Sequence, residues 1–356
     1  MMFDLAKKLF PICRSITGNG VRQTFDILKK YQPKLRTAEV STGTECFDWK
    51  IPREWNIEDA YLIDPDGKKF AKFKDNNLHI LNYSIPIDIE MDLENLKKYL
   101  HTLPEQPKAI PYLTSYYQER WGFCLTHEEY LKLKSGKYRA VIKSTLEDGS
   151  LTLGDIVYKG RSEKEICFST YICHPSLANN EISGPVVTTH LAKYIESLCG
   201  DHYYSYRFIF VPETIGAIAY LSKNFQMMKK RTIAGFQVTC VGDNNNYSYV
   251  ASPSGKNYAD RVAKYCLEKY VESFTEYSFL KRGSDERQYC SPNINLPFCS
   301  ICRTKYGEYP EYHTSLDNLD FISEEGLQGA LDIYLKVIKT LEINETYRNI
   351  CYAEPF

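Results

Sequence analysis

The sequence predicts an α/β protein: a mostly parallel, mixed sheet flanked by helices, accompanied by a small β-rich module. Three observations carry this reading. After about Gly154, short apolar runs alternate with stretches of helical periodicity. Those runs are apolar throughout, as expected of strands covered on both faces. Between about Thr37 and Leu153 the chain instead shows short alternating stretches set between turn signals.

The first 30 residues read as helix, broken by the turn-like Thr17-Gly18-Asn19-Gly20 and resuming as VRQTFDILKKY. AYLID and LHILNYS follow as short strands, separated by turns such as Asp64-Pro65-Asp66-Gly67. A polar helix is expected near Leu93 to Leu100, then a Pro-rich link around Pro104 to Pro111. KEICFSTYI reads as a buried strand, and EISGPVVTTHLAKYIESL as a helix with Ile182, Val186, Val187, Leu191 and Ile195 near helical spacing. YRFIFV (strand), GAIAYLSKNF (helix), IAGFQVTCV (strand) and NYADRVAKYCLEKYV (helix) continue the alternation. LPFCSICR and SEEGLQGALDIYLKVIKTLE close it as strand and helix. The β-rich module interrupts or precedes the sheet. A helical start with no β partner of its own favours interruption, with residues 1–48 and 151–356 forming the sheet domain and 49–150 an insert. Residues 1–45 are then expected to pack on the sheet.

Composition excludes several classes. Lys and Arg total 44 against 45 Asp and Glu, so the footprint of a nucleic-acid or anionic-membrane binder is missing. MMFDLAKKLFPIC has no signal-peptide core, and no apolar run approaches the ~18 residues of a membrane span. A cytoplasmic location is the expectation. Twelve cysteines in 356 residues are too dilute for a disulfide scaffold. Cys299 and Cys302 form the single CxxC, inside an expected buried strand where a reactive thiol is out of place. No HExxH, GxSxG, GxxxxGK[ST] or GxGxxG occurs.

Ligands collect at the carboxyl ends of strands in open α/β sheets. The residues after the expected strands include His174, Asn180 and Glu181 in CHPSLANNE, Glu213 in VPETIG, Asp243 in CVGDNNN, and His313 and Asp317 further on. Histidine and carboxylate on one rim are ligand chemistry for zinc-type ions, with a free Glu as base. Each also has a plain structural reading: Asn180 as a helix cap, Glu181 in a first turn, Glu213 as a cap, Asp243 in a turn.

ICHPSLANNEISGP, FVPETIGAIAYL, RGSDERQY and YHTSLDNLDFIS, in that order, resemble the zinc-dependent aminopeptidase clan that includes di-zinc aminopeptidases and glutaminyl cyclases. Nearly the whole chain resembles, more closely, a bacterial aminopeptidase-like family whose peptidase domain carries an inserted β-rich module and often a C-terminal winged helix. The resemblance implies His174 and His313 as metal ligands and Glu213 as general base. The clan's bridging Asp falls on Asn180, its second Glu on Thr214, and its later Asp on Thr239, with Asp243 the nearby carboxylate. A di-metal pair concentrates about four positive charges within roughly 4 Å. With Asn180 bringing no charge, one zinc ion is expected rather than two, its carboxylate supplied by Asp243 or Glu181. Asp285, Glu286, Tyr306 and Tyr312 are the candidates for binding substrate, exposed tyrosines being the alternative for the last two.

The leading functional expectation is a metal-dependent amide hydrolase acting on a small aminoacyl, peptide or amide-bearing sugar substrate, in the setting of surface-polysaccharide biosynthesis. The alternatives are a binding protein that kept the fold and lost the metal, and an acyl or aminoacyl transferase.

Overall fold

The computed structural model describes residues 2–344. Helices α1 (Met2–Leu9) and α2 (Asn19–Tyr31) open the chain, followed by β1 (Arg36–Ser41). The chain then builds a separate four-stranded sheet from β2 (Glu54–Ile63), β3 (Lys69–Phe70), β4 (Ile87–Asp92) and β5 (Lys137–Glu147), in the order β3-β2-β5-β4. It returns as β6 (Ser150–Tyr158), which pairs antiparallel with β1. Next come β7 (Glu165–Tyr171), α3 (Ser183–Ser197), β8 (Ser205–Val211), α4 (Ile215–Arg231) and β9 (Thr232–Gln237). The remaining elements are β10 (Ser248–Val250), α5 (Tyr258–Tyr270), β11 (Thr275–Tyr277), the short α6 (Glu286–Tyr289), β12 (Phe298–Cys302) and α7 (Glu324–Ile343).

The large sheet has eight strands in the order β1-β6-β8-β7-β9-β12-β10-β11. Its centre, β8-β7-β9-β12, is parallel, and the flanking pairs β1/β6, β6/β8 and β12/β10 are antiparallel. Every residue of β7 and β8 is buried, so both read as largely apolar strands, with Glu165 and Arg207 paired to each other inside them. Successive side chains alternate between the two faces. Phe168, Phe208 and Phe236 pack with α1, α2, α3, α5 and α7, while Cys167, Ile209 and Val211 pack with α4. The sheet is therefore covered on both sides. The α/β class and the mixed sheet flanked by helices are what the chain adopts.

The expected strand LHILNYS is the clearest local difference. Asn77–His79 is a 3₁₀ turn, and only isolated bridges follow at Ile80 and Asn82. Asn82 turns its side chain to the first segment, donating to the Arg14 carbonyl and accepting from Ser15 Oγ. Tyr83 then takes φ 73°, which ends any extended run.

The small sheet has its own core, including Ala60, Leu62, Phe123, Tyr138 and Ile142. The segment from Ile110 to Tyr112 leaves that core and joins the loop after β12. Pro111 bridges Thr314, Ile110 and Ser315 exchange hydrogen bonds, and the Tyr112 N–H donates to the His313 carbonyl at 2.8 Å. Cys299 and Cys302 are buried in β12, where desolvation pushes both thiols above their ordinary range.

Candidate active site

The carboxyl ends of β7 and β8 place His174 and Glu213 together. His174 is 4% exposed. Its Nε2 lies 3.7 Å from Glu213 Oε2, and its Nδ1 lies 2.8 Å from Glu181 Oε2. Glu181 sits in a single π-helical turn, Ala178–Ile182, that runs into α3. Such turns are frequent at functional sites because they redirect a side chain out of the helical register. Behind Glu181 is Arg14, 1% exposed, whose Nε donates to the His174 carbonyl at 3.0 Å and lies 3.7 Å from Glu181 Oε1. With Glu181 ionised, its carboxylate accepts Nδ1–H and leaves Nε2 as a lone pair toward Glu213.

His313 completes the cluster from the loop after β12. Its ring centroid is 5.6 Å from that of His174. It takes φ 57°, a left-handed conformation unusual for a residue with a Cβ. Tyr312 stacks on it at 3.9 Å, and Tyr112 lies 5.1 Å from each histidine ring. Burial lowers both imidazoles to about 3, so both are neutral near pH 7. Neutral imidazole is the form that binds metal.

The corner after β8 is held under strain. Thr214 takes φ 65°, a real outlier for a β-branched residue. It is clamped by the start of α6: its N–H donates to Oδ1 of Asp285, the residue before the helix, at 2.7 Å, and Arg287 Nη2, on the helix, donates to its hydroxyl at 2.6 Å. Glu213 itself donates its N–H to Cys173 Sγ and keeps its side chain about one-fifth exposed (21%). Desolvation raises the Glu213 carboxyl well above its ordinary range, and Asp285 adds to the effect while Arg287 opposes it.

The other expected site residues are placed as follows. Asn180 donates through Nδ2 to the Tyr171 hydroxyl at 2.6 Å, and its Oδ1 is buried without a partner. Asp243 is engaged elsewhere: its two oxygens accept from Asn179 Nδ2, Thr304 N, Thr304 Oγ1 and Asn245 N. Asp317 receives the backbone N–H groups of Asn179 and Asn180 and so fixes the π turn. Glu286 accepts from Tyr306 OH at 2.5 Å and from the N–H groups of Gly283 and Ser284, which ties down the loop carrying Asp285. Tyr312 lies on His313, whereas Tyr306 serves that clasp. Among the described residues, the group of three metal-type side chains whose ligand atoms lie within 4.8 Å of one another is Cys173, His174 and Glu181.

Donors suited to a cation are present beside the His174 ring, whose centroid is 5.6 Å from that of His313. His313 Nε2 and Asn180 Oδ1 are buried and unsatisfied, an arrangement that costs free energy unless something accepts those lone pairs. On the Nδ1 side the guanidinium of Arg14 already stands beside Glu181. An unpartnered imidazole nitrogen and amide oxygen are donors of the kind a zinc-type ion takes, while the ligand atoms of His174, Glu213 and His313 do not all lie within 4.8 Å of one another.

Sequence reasoning missed Arg14, Tyr112 and Arg287, and took Thr214 only as the position of a replaced carboxylate. A buried Arg has no local signature. The run PYLTSYYQERW, aromatic and just after the Pro-rich link, was the available signal for Tyr112.

With this geometry in hand, comparisons place the chain. The family described as "Domain of unknown function (DUF4910)" matches residues 3–344. The chain belongs to that family. A Clostridium acetobutylicum protein named as a polysaccharide biosynthesis protein with an aminopeptidase-like domain is 46% identical over 349 residues, covering 98% of this chain and 79% of the relative. The crystal structure of a Clostridium acetobutylicum protein named only by likeness as a peptidase superposes with a TM-score of 0.95 at 46% identity, covering 99% of this chain and 83% of that one. A zinc aminopeptidase from Bacillus subtilis gives 0.68 at 15% identity, covering 98% and 96%, and shows the shared fold. The fold is thus aminopeptidase-like. Among the described residues, no helix is long and apolar enough to cross a membrane.

Proposed function

We propose that the chain is a metal-dependent amide hydrolase with a single zinc-type ion held by His174 and His313 and with Glu213 as general base. One observation carries this reading. Glu213 faces Nε2 of a histidine whose Nδ1 lies 2.8 Å from the Glu181 carboxyl group, beside a second neutral histidine with an unsatisfied Nε2. A bound ion would supply Lewis acidity toward the scissile carbonyl and the attacking water.

The chain's own residues do the rest. Glu213 takes a proton from the attacking water and returns it to the leaving nitrogen. Asp285 and Arg287 hold the strained corner that aims it. Tyr112 and Tyr312 pack against the imidazoles and limit access of bulk water. Asn180 offers an uncharged oxygen where a second ion would need a carboxylate, so one ion is favoured over two. The name of the Clostridium relative supports a small amide-bearing sugar or aminoacyl conjugate as substrate, in polysaccharide biosynthesis. The free described cysteines are compatible with a cytoplasmic setting.

A binding protein without catalysis is the second reading, favoured by the engagement of Asp243 away from the histidines. Glu213→Gln separates the two. Zinc-loaded wild type and variant are screened against aminoacyl amides, short peptides and N-acylated amino sugars. The hydrolase loses about 10²–10⁴-fold in turnover while folding and zinc content persist. Equal turnover in both proteins would leave Glu213 without a catalytic role and overturn the proposal; the cap role expected of it from sequence is not what the structure shows, since Thr214 is the N-cap of α4 and no side chain caps that helix.

A further inference from the structure

A second cavity begins within one helical turn of the Glu213 corner. Ile218 and Leu221, on α4, line it, and Ile218 lies only ~4.5 Å along the helix axis from Ile215. Further along α4, Phe225 meets the ring of Phe47 edge-on at 6.5 Å. Trp49, half-buried, closes the cavity from the hairpin Glu45–Cys46/Trp49–Lys50. Its ring meets Tyr117 at 5.4 Å, Tyr117 neighbours Tyr116 at 6.4 Å, and the Tyr116 hydroxyl meets that of Tyr112 at 3.0 Å. Gln288, also in the lining, follows directly on Arg287, the residue that grips Thr214. Both parts of the lining are therefore continuous with the groups that position His174, His313 and Glu213.

The volume and lining select a ligand class. About 420 Å³ suits a ligand of one or two six-membered rings, within the range of small-molecule sites. The described lining contains no Lys, Arg or His, so a phosphate, nucleotide or carboxylate would find no cation to pair with. Rings and aliphatic groups make up part of the lining, while Gln288, Asn293, Ser291 and Asp48 supply amide, hydroxyl and carboxylate groups. A pyranose meets both kinds of wall, laying its C–H face on the rings and turning its hydroxyls to the polar groups.

We propose that this cavity is a subsite for an uncharged pyranose, the ring of an N-acylated amino sugar whose amide extends toward Glu213. The direction of the amide rests on the hydrolase reading; occupation by the sugar does not.

Trp49 reports on the site, and the sequence has only 3 tryptophans, of which Trp55 is buried at 2% exposure. Methyl N-acetyl-β-glucosaminide is titrated into the zinc-loaded protein while tryptophan emission is followed, with N-acetylphenylalaninamide as the apolar competitor. The expected result is a saturable change with the sugar. It is lost in Trp49→Phe, and the dissociation constant rises at least about tenfold in Asn293→Ala, a change at an exposed position that spares the core. No response to the sugar, tighter binding of the aromatic amide, or an unchanged dissociation constant in Asn293→Ala would overturn the subsite. Sugar binding without turnover of any amide would uphold the subsite and sink the hydrolase. Turnover of peptides without sugar binding would do the reverse.

Discussion

Replacing Glu181 by Gln removes the acid from a chain of three buried groups, and with it a charge wherever that acid is ionised. Arg14 and Glu181 are each 1% exposed, with Nε and Oε1 separated by 3.7 Å. At an effective dielectric of about 20 that pair attracts by ~4.5 kcal/mol. Losing one partner strands the other, which typically costs about 3–5 kcal/mol. Arg14 keeps its bonds to the carbonyls of His174 and Leu9, so the variant is destabilised rather than reorganised. The His174 ring loses its charged acceptor, and zinc affinity should fall roughly 10–100-fold. Burial raises the Glu181 carboxyl to about 8 against the opposing pull of Arg14. The acid is therefore mostly protonated at pH 6 and ionised at pH 9, and the coupling should grow between them. The assay is a double-mutant cycle by urea unfolding, with Arg14→Met, Glu181→Gln and the double variant at both pH values. The double variant should regain much of the stability lost by Glu181→Gln, because no buried charge is left unpaired, but none of the zinc affinity. Additive losses at pH 9, with coupling below ~0.5 kcal/mol, would refute the reasoning.

Three further outcomes follow from local geometry. Glu54 accepts a bidentate pair from Arg22 and a bond from the Ser150 N–H, and these lower its carboxyl to about 2. Its stabilisation is present above the unfolded value near 4.5 and is lost as pH falls toward 2; discounted for screening, Glu54→Gln should cost ~1–2 kcal/mol at pH 7 and little at pH 2, by thermal melts. At Gly184 a Cβ would stand 2.3 Å from Thr170 Oγ1 and 2.6 Å from the Val238 carbonyl, so Gly184→Ala should cost about 1–3 kcal/mol in chemical unfolding. Tyr112 is 4% exposed between the two histidines, and Tyr112→Ala should cost ~3–5 kcal/mol and weaken zinc binding; unchanged zinc affinity would detach this segment from the site.

What was legible in the sequence follows burial on both faces. β7, β8, β9 and β12 announce themselves because most of their side chains are apolar and nearly all are buried, and α3 to α5 because their periodicity is regular. LHILNYS deceived because its alternation is satisfied by side-chain contacts to Arg14 and Ser15 rather than by a ladder. β10 and β11, three residues each, are too short for periodicity to register. In the site, His174, Glu213 and His313 were readable from position, since each follows a strand at the sheet's carboxyl edge. Asp243 looked equivalent by that criterion. Its hydrogen bonds to Thr304, Asn179 and Asn245 come from segments distant in sequence or from backbone groups, which no local pattern displays. The support from Arg14 and Tyr112 was invisible for the same reason.

Zinc stoichiometry tests the central claim most directly. Protein stripped by chelator is titrated with zinc by calorimetry, alongside His313→Ala and Cys173→Ser. The proposed site takes one equivalent in wild type, loses it in His313→Ala and keeps it in Cys173→Ser, because the ion belongs on the Nε2 side of His174. Two equivalents, none, or a single equivalent that survives His313→Ala and disappears in Cys173→Ser would contradict it.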